Sequence, residues 1–140
     1  MLITGTLQPI AFSVYMQGLK AVEIGNTMKF DGVATNTGDH CNPVTGHFTC
    51  PRSGLYAFIL NLTSERHFNE AYGNLVKEGQ SLTLVLASNT NKDGHYSHAT
   101  GSVIVECEAG ERIWVESYSL KSMLLGGRFC TFSGHLIGQQ

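Results

Sequence analysis

With 140 residues, 42% of them hydrophobic, the chain can bury one full core. A net charge of −2, from nine basic and eleven acidic residues with no basic cluster, argues against nucleic-acid binding. Only 14% of residues are charged, so part of the surface is expected to be neutral polar or to lie in an interface.

No apolar run approaches the roughly 20 residues needed to span a bilayer. Met1 to Gly5 holds no basic n-region and no long apolar core, the pattern of a cytosolic chain or of one whose leader was removed. From Pro9 to Met16, Ile10, Phe12, Val14 and Met16 alternate with Ala11, Ser13 and Tyr15, which predicts a strand. Lys20 to Gly25 fits neither helix nor strand cleanly. Thr27 to Val33 carries Met28 and Phe30 ahead of Asp31-Gly32, a turn pair. Asn36 to Gly46 reads as a loop with at most a short strand.

The densest stretch runs from Gly46 to Thr63. Pro51 has no N–H for a ladder and Gly54 accepts unusual backbone angles, so a kink is expected just before Leu55. Beyond it, Tyr56, Phe58, Leu60 and Leu62 share one strand face and Leu55, Ala57, Ile59 and Asn61 the other. Apolar residues on both faces predict a central strand, covered by a core on one side and by more protein on the other. Asn61-Leu62-Thr63 is a glycosylation sequon, usable only if Asn61 is exposed in a secretory protein.

Strands are further predicted at Ala71 to Lys77, Ser81 to Ala87, Ser102 to Cys107, Arg112 to Tyr118 and Phe129 to Ile137. Glu78-Gly79-Gln80 and Glu108-Ala-Gly-Glu111 are turns, and Ser88 to Gly101 is the longest polar stretch. Leu120 to Arg128 reads as a loop with an exposed Met123-Leu124-Leu125. No stretch supports an amphipathic helix. Eight or more short strands without linker or repeat predict one all-β sandwich or barrel, and the two apolar terminal strands favour a jelly roll in which they pair.

None of the four cysteines forms a C-x-x-C pair, and no nucleophile elbow, His-Glu-x-x-His or phosphate loop is present, so no enzyme is expected. Phe12, Tyr56, Phe58, Trp114, Phe129 and Phe132 lie on predicted strands, where core or interface roles are expected.

Six fragments in order resemble one known family: Ala11-Phe12-Ser13, Asn36-x-Gly38, Gly46-x-Phe48-Thr49-Cys50-Pro51-x-x-Gly54-Leu55-Tyr56-x-Phe58, Thr100-Gly101-Ser102-Val103, Gly110-Glu111-x-Ile113-Trp114-Val115 and Phe132-Ser133-Gly134. Together they look like the globular head domain of complement C1q. His40-Cys41 stands where the family often has Tyr-Asp, and His135 where it usually has Phe. The resemblance implies an all-β, ten-stranded jelly-roll sandwich of two antiparallel sheets, similar to tumour necrosis factor. It implies a domain over residues 9–140 after an extension at 1–8, a homotrimer, and an extracellular, secreted protein. With no collagen-like stalk in the sequence, the chain looks like the stalkless lectins of invertebrate innate immunity.

Family members bind carbohydrates, bacterial lipopolysaccharide, immune complexes or proteins. Some hold calcium through carboxylates in the loop before the Gly-Ser-Val strand. Here that loop reads His95-Tyr96-Ser97-His98-Ala99-Thr100, with Asp93 the one acid nearby, so no cofactor is expected. In the implied topology the strand after Pro51 runs antiparallel to the one ending at Cys107. This brings Cys50 toward Cys107 as a disulfide, against the alternative of two buried free thiols. Cys41 and Cys130 remain without an argued pairing.

The candidate ligand site is the polar segment Asn89, Asn91, Lys92, Asp93, His95, Tyr96 and His98, which offers hydroxyl-pairing groups and an aromatic ring for a sugar. Lys92 or Arg52 would supply the cation for sialic acid or a phosphorylated lipopolysaccharide core. Segments Arg66–Tyr72 and Lys121–Arg128 are second choices. His95-x-x-His98 lacks a third metal ligand and reads as loop polarity. The predicted function is a pattern-recognition lectin binding glycans. The alternatives are a cytokine-like module with a protein partner and a structural trimer.

Overall fold

The computed structural model describes residues 8–66, 70–88 and 95–138. Eleven strands follow in chain order: β1 (Ala11–Tyr15), β2 (Lys20–Glu23), β3 (Gly32–Asn36), β4 (Phe48–Thr49), β5 (Gly54–Ser64), β6 (Glu70–Lys77), β7 (Gln80–Ser88), β8 (Ser97–Cys107), β9 (Arg112–Ser117), β10 (Lys121–Leu124) and β11 (Thr131–Gly138). One sheet has seven strands in the order β2-β10-β5-β11-β1-β3, with β8 on β5; the other has four, β4-β9-β6-β7. Every pairing is antiparallel, and the fold is the expected jelly roll. The count exceeds the expected ten by one. β4 is only two residues long, stopped where Pro51 removes a ladder donor.

β5 is the organising strand. β8 pairs with it over its whole length, from Gly54↔Cys107 to Ser64↔Ser97. On its other side it carries β11 and, at Ser64, β10. Tyr56, Phe58, Leu60 and Leu62 are fully buried toward the second sheet, while Leu55, Ala57, Ile59 and Asn61 face outward. The terminal strands pair from Ala11↔His135 to Tyr15↔Thr131, as their shared apolar alternation predicts.

The core is aromatic. The Phe12 ring stacks on Phe48 at 4.7 Å and meets Phe132 edge-on at 4.9 Å. Phe58 sits among Phe12, Phe48, Tyr56 and Phe132. Burying each such side chain stabilises the fold by about 2–3 kcal/mol relative to leaving it exposed. The buried Tyr56 hydroxyl donates to the Arg52 carbonyl at 2.6 Å. At the β6–β7 hairpin, Glu78 (φ 48°) and Gly79 (φ 86°) form the two-residue connection with left-handed backbone that matches strand twist.

Three local expectations are corrected, and of the aromatic residues expected in core or interface Trp114 lies outside the core. β8 begins at Ser97, five residues before the predicted Ser102, because its outward residues His98 and Thr100 alternate with Ala99 and Gly101 rather than with large apolar groups. Lys121–Leu124 is a strand, not a loop, and Leu124 is fully buried because β10 lies between β2 and β5. Phe129 is 56% exposed, lying before β11 beside Arg128 with its left-handed backbone (φ 77°). Trp114 points away from the core: Ile113 and Val115 are buried inward, and alternation sends Trp114 to the outer face of the four-stranded sheet.

Candidate functional site

The predicted ligand residues fall into three groups. Asn89, Asn91, Lys92 and Asp93 lie outside the described residues. His95 and Tyr96 lead into β8 with exposed side chains, Tyr96 at 54%. His98 is on β8 itself. Arg52 is elsewhere: it precedes β5 at the end where β8 finishes, whereas His98 sits where β8 begins. Nine or ten strand residues separate these ends, about 30 Å. Arg52 therefore cannot share one sugar with His95–His98 within a protomer. Its guanidinium instead donates to the Gln8 carbonyl at 3.0 Å.

Around His98 the outer sheet face carries a continuous hydrogen-bonded set. The Thr63 hydroxyl donates to the Phe129 carbonyl at 3.0 Å, which leaves its lone pair for His98 Nδ1–H at 2.8 Å. The Thr100 hydroxyl donates to Asn61 Oδ1 at 2.6 Å, and Asn61 Nδ2 donates to Thr131 Oγ1 at 2.8 Å. The sequon asparagine is thus engaged on both sides of its amide within the sheet. Among the described residues no three His, Cys, Asp or Glu side chains converge on a metal position.

On the other sheet, His47 stacks on Trp114 at 4.4 Å, and Trp114 Nε1 donates to Glu116 at 3.0 Å. Burial against this ring and the charge of nearby Arg112 hold the His47 imidazole below its usual range, partly offset by Glu78. Arg112 grips both oxygens of Glu78 at 3.1 Å.

Cys50 and Cys107 are joined in a disulfide, with Cα atoms 6.6 Å apart. Cys41 and Cys130 are buried free thiols. Burial pushes both up to about 11; for Cys130, hydrogen bonds with the Thr63 and Leu125 backbone pull the other way. Native protein treated with iodoacetamide at pH 8 is therefore expected to stay unlabelled at both positions, while urea-unfolded protein takes two labels. Intact-mass spectrometry checks this, and rapid native labelling of either thiol would refute it.

A two-sheet sandwich in this strand order, with loops at both ends of a buried aromatic core, defines a jelly-roll module. The sequence profile of the C1q domain matches residues 11–137. The chain belongs to the C1q domain family. Complement C1q tumor necrosis factor-related protein 6 of Mus musculus is 33% identical over 135 residues, covering 91% of this chain and 49% of that protein. The chain thus spans about half the length of that curated relative. The globular domain of zebrafish complement 1qA protein superposes with a TM-score of 0.78 at 22% identity, over 95% of this chain and 100% of that one. Eiger TNF from S. frugiperda does so at 0.78 and 16% identity, over 96% of each chain. At such identities the two structures speak to fold alone. Among the described residues no helix is long and apolar enough to cross a membrane.

Sequence reasoning did not find the arrangement of the outer sheet face. Its signal is a run of small or polar residues alternating with core residues on β1, β8 and β11.

Proposed function

We propose that the protein is an extracellular recognition module of innate immunity that assembles as a homotrimer and binds glycans: sialylated or neutral carbohydrate, or bacterial lipopolysaccharide. The observation that carries the assembly is the outer face of the seven-stranded sheet. Over β1, β5, β8 and β11 its outward residues include no Lys, Arg or Asp, and Glu106 at the rim is its one carboxylate. A face of this size with a single charge at its rim suits a partner better than water. Ile104, 64% exposed, and Ile59, 41% exposed, stand on it. Beside them lies a depression of about 300 Å³ over Ala11, Ser13, Ala57, Ser133 and His135, large enough to take an apolar side chain from a second copy. The disulfide suits an oxidising, extracellular setting. Three weak sugar sites on one rigid body gain avidity that one site lacks.

Ile104→Lys is expected to give a monomer by light scattering at micromolar concentration. Its binding to a glycan-coated surface should fall by about 10²-fold through lost avidity, with free-sugar affinity unchanged. A wild type that is itself a stable monomer would defeat the assembly. A glycan array blank for sialylated glycans, neutral glycans and lipopolysaccharide would remove the glycan half. A saturable protein partner indifferent to competing sugars would then favour the cytokine-like alternative, which the relative's printed name suggests.

A further inference from the structure

We propose that the groove between β2 and the turn at residues 42–46 is a binding site for a carboxylate-bearing sugar, with Lys29 as its cation. The inference rests on the glycan reading above and gives it a place on the molecule. The groove measures about 760 Å³, within the size range of small-ligand sites. One wall is β2, from Lys20 to Val22; the floor is Asn26 to Lys29; the far wall is Val44 and Thr45.

The walls are held by the backbone. Asn42 Oδ1 accepts from the Val44 and Thr45 N–H groups at 2.8 and 3.3 Å, and Gly46 N–H donates to the Asn42 carbonyl at 2.8 Å. Gly46 takes a left-handed φ of 84°, and a Cβ there would lie 2.9 Å from the Thr27 methyl, so turn and floor meet closely. The floor is tied to β9: Met28 N–H donates to Val115 at 2.7 Å and Ser117 N–H to Asn26 at 2.9 Å. Met28 is buried inward, which leaves Thr27 and Lys29 on the groove side.

The charges select the ligand. No carboxylate lines the groove. Lys20 is paired with Asp31 at 3.5 Å, and Asp31 also accepts from Gln17 N–H at 3.1 Å. Lys29 is exposed and has no ion pair among the described residues, so it is the cation left to meet an anion. Around it stand an exposed amide on Asn26 and the hydroxyls of Thr27 and Thr45, suited to sugar hydroxyls. Ala21, Val22 and the 75%-exposed Val44 suit an apolar sugar face or an acetyl methyl. A carboxylate gives Lys29 a charge-assisted partner that an uncharged ligand lacks, and a purely apolar ligand would use neither the amide nor the hydroxyls. None of the groove residues lies on β1, β5, β8 or β11, the strands whose outer face is proposed to be the assembly surface.

The test is calorimetric titration of the full chain with 3′-sialyllactose, lactose and inorganic phosphate, alongside amide chemical-shift mapping. Lys29→Gln and Asn26→Ala are surface changes, and Lys77→Gln on β6, paired with Glu111 away from the groove, is the charge-matched control. We expect 3′-sialyllactose to bind better than lactose, with shifts at residues 20–29 and 42–46. Lys29→Gln should weaken it by about tenfold or more, the worth of one charge-assisted hydrogen bond, and Lys77→Gln should leave it unchanged. If wild type binds sialyllactose and both groove variants bind it equally well, the groove is wrong and the glycan reading survives. If phosphate competes as well as sialyllactose binds, the site is a general anion site and the proposal falls. If wild type binds no glycan, both fall.

Discussion

A protein with alanine at both Cys50 and Cys107 is expected to lose about 4 kcal/mol of stability, from a cross-link across a sequence separation of 57. The stabilisation acts chiefly on the unfolded chain, whose freedom the bridge restricts. In the folded state the same corner is already held without it: Cys50 N–H donates to Glu111 at 2.9 Å and Gly110 N–H to Cys50 at 2.8 Å. β5 and β8 also pair up to Gly54↔Cys107. The variant should therefore keep the fold and melt lower, by on the order of 10 °C for a domain of this size. Total stabilities run about 5–15 kcal/mol, so the loss is a large share. Denaturant titration of oxidised protein and double alanine, at equal protein concentration because assembly adds to apparent stability, makes the comparison. A difference below about 1 kcal/mol would show that the unfolded chain is restrained by something other than this bridge.

Phe58→Ala is expected to cost about 3–5 kcal/mol. The ring is fully buried and lies 5.7–6.2 Å, centroid to centroid, from four other rings. Its cross-strand partner on β11 is Gly134, and a Cβ built there would come within 2.5 Å of the Phe58 ring and 2.8 Å of Phe12. The glycine exists to make room for the aromatic ring, so the cavity left by truncation has no neighbouring side chain on that strand to fill it. This coupling gives a sharper test. Gly134→Ala alone should destabilise by overpacking, by about 1–3 kcal/mol. Combined with Phe58→Leu, which frees space, it should cost clearly less than it does alone. A double-mutant cycle in urea reads the difference, and strictly additive effects would sink the steric account.

Much of the scaffold was legible before any coordinates. The alternation of Ile10, Phe12, Val14 and Met16 predicts β1, and its likeness to the last strand predicts their pairing. The two apolar faces of Leu55 to Leu62 predict the central strand, and Pro51-x-x-Gly54 its start. The candidate site was less legible. His98 and Thr100 look like loop residues because hydropathy sees a strand only when one face is strongly apolar, and here Ala99 and Gly101 face inward. Gly101 is small because Val85 of β7 lies over it. Leu124 reads as exposed because nothing near it in sequence tells that its strand is enclosed between β2 and β5 with its side chain in the core.

The sequence by itself determined the fold class, the central strand and the hairpin at Glu78-Gly79, because each depends on a repeat of two residues or on turn chemistry within a few positions. The tertiary structure alone decided that Arg52 and His98 sit at opposite ends of β5, and that Lys29 faces Val44 and Thr45 across a groove. Those placements depend on where distant segments return to one another, and a local period carries no information about that.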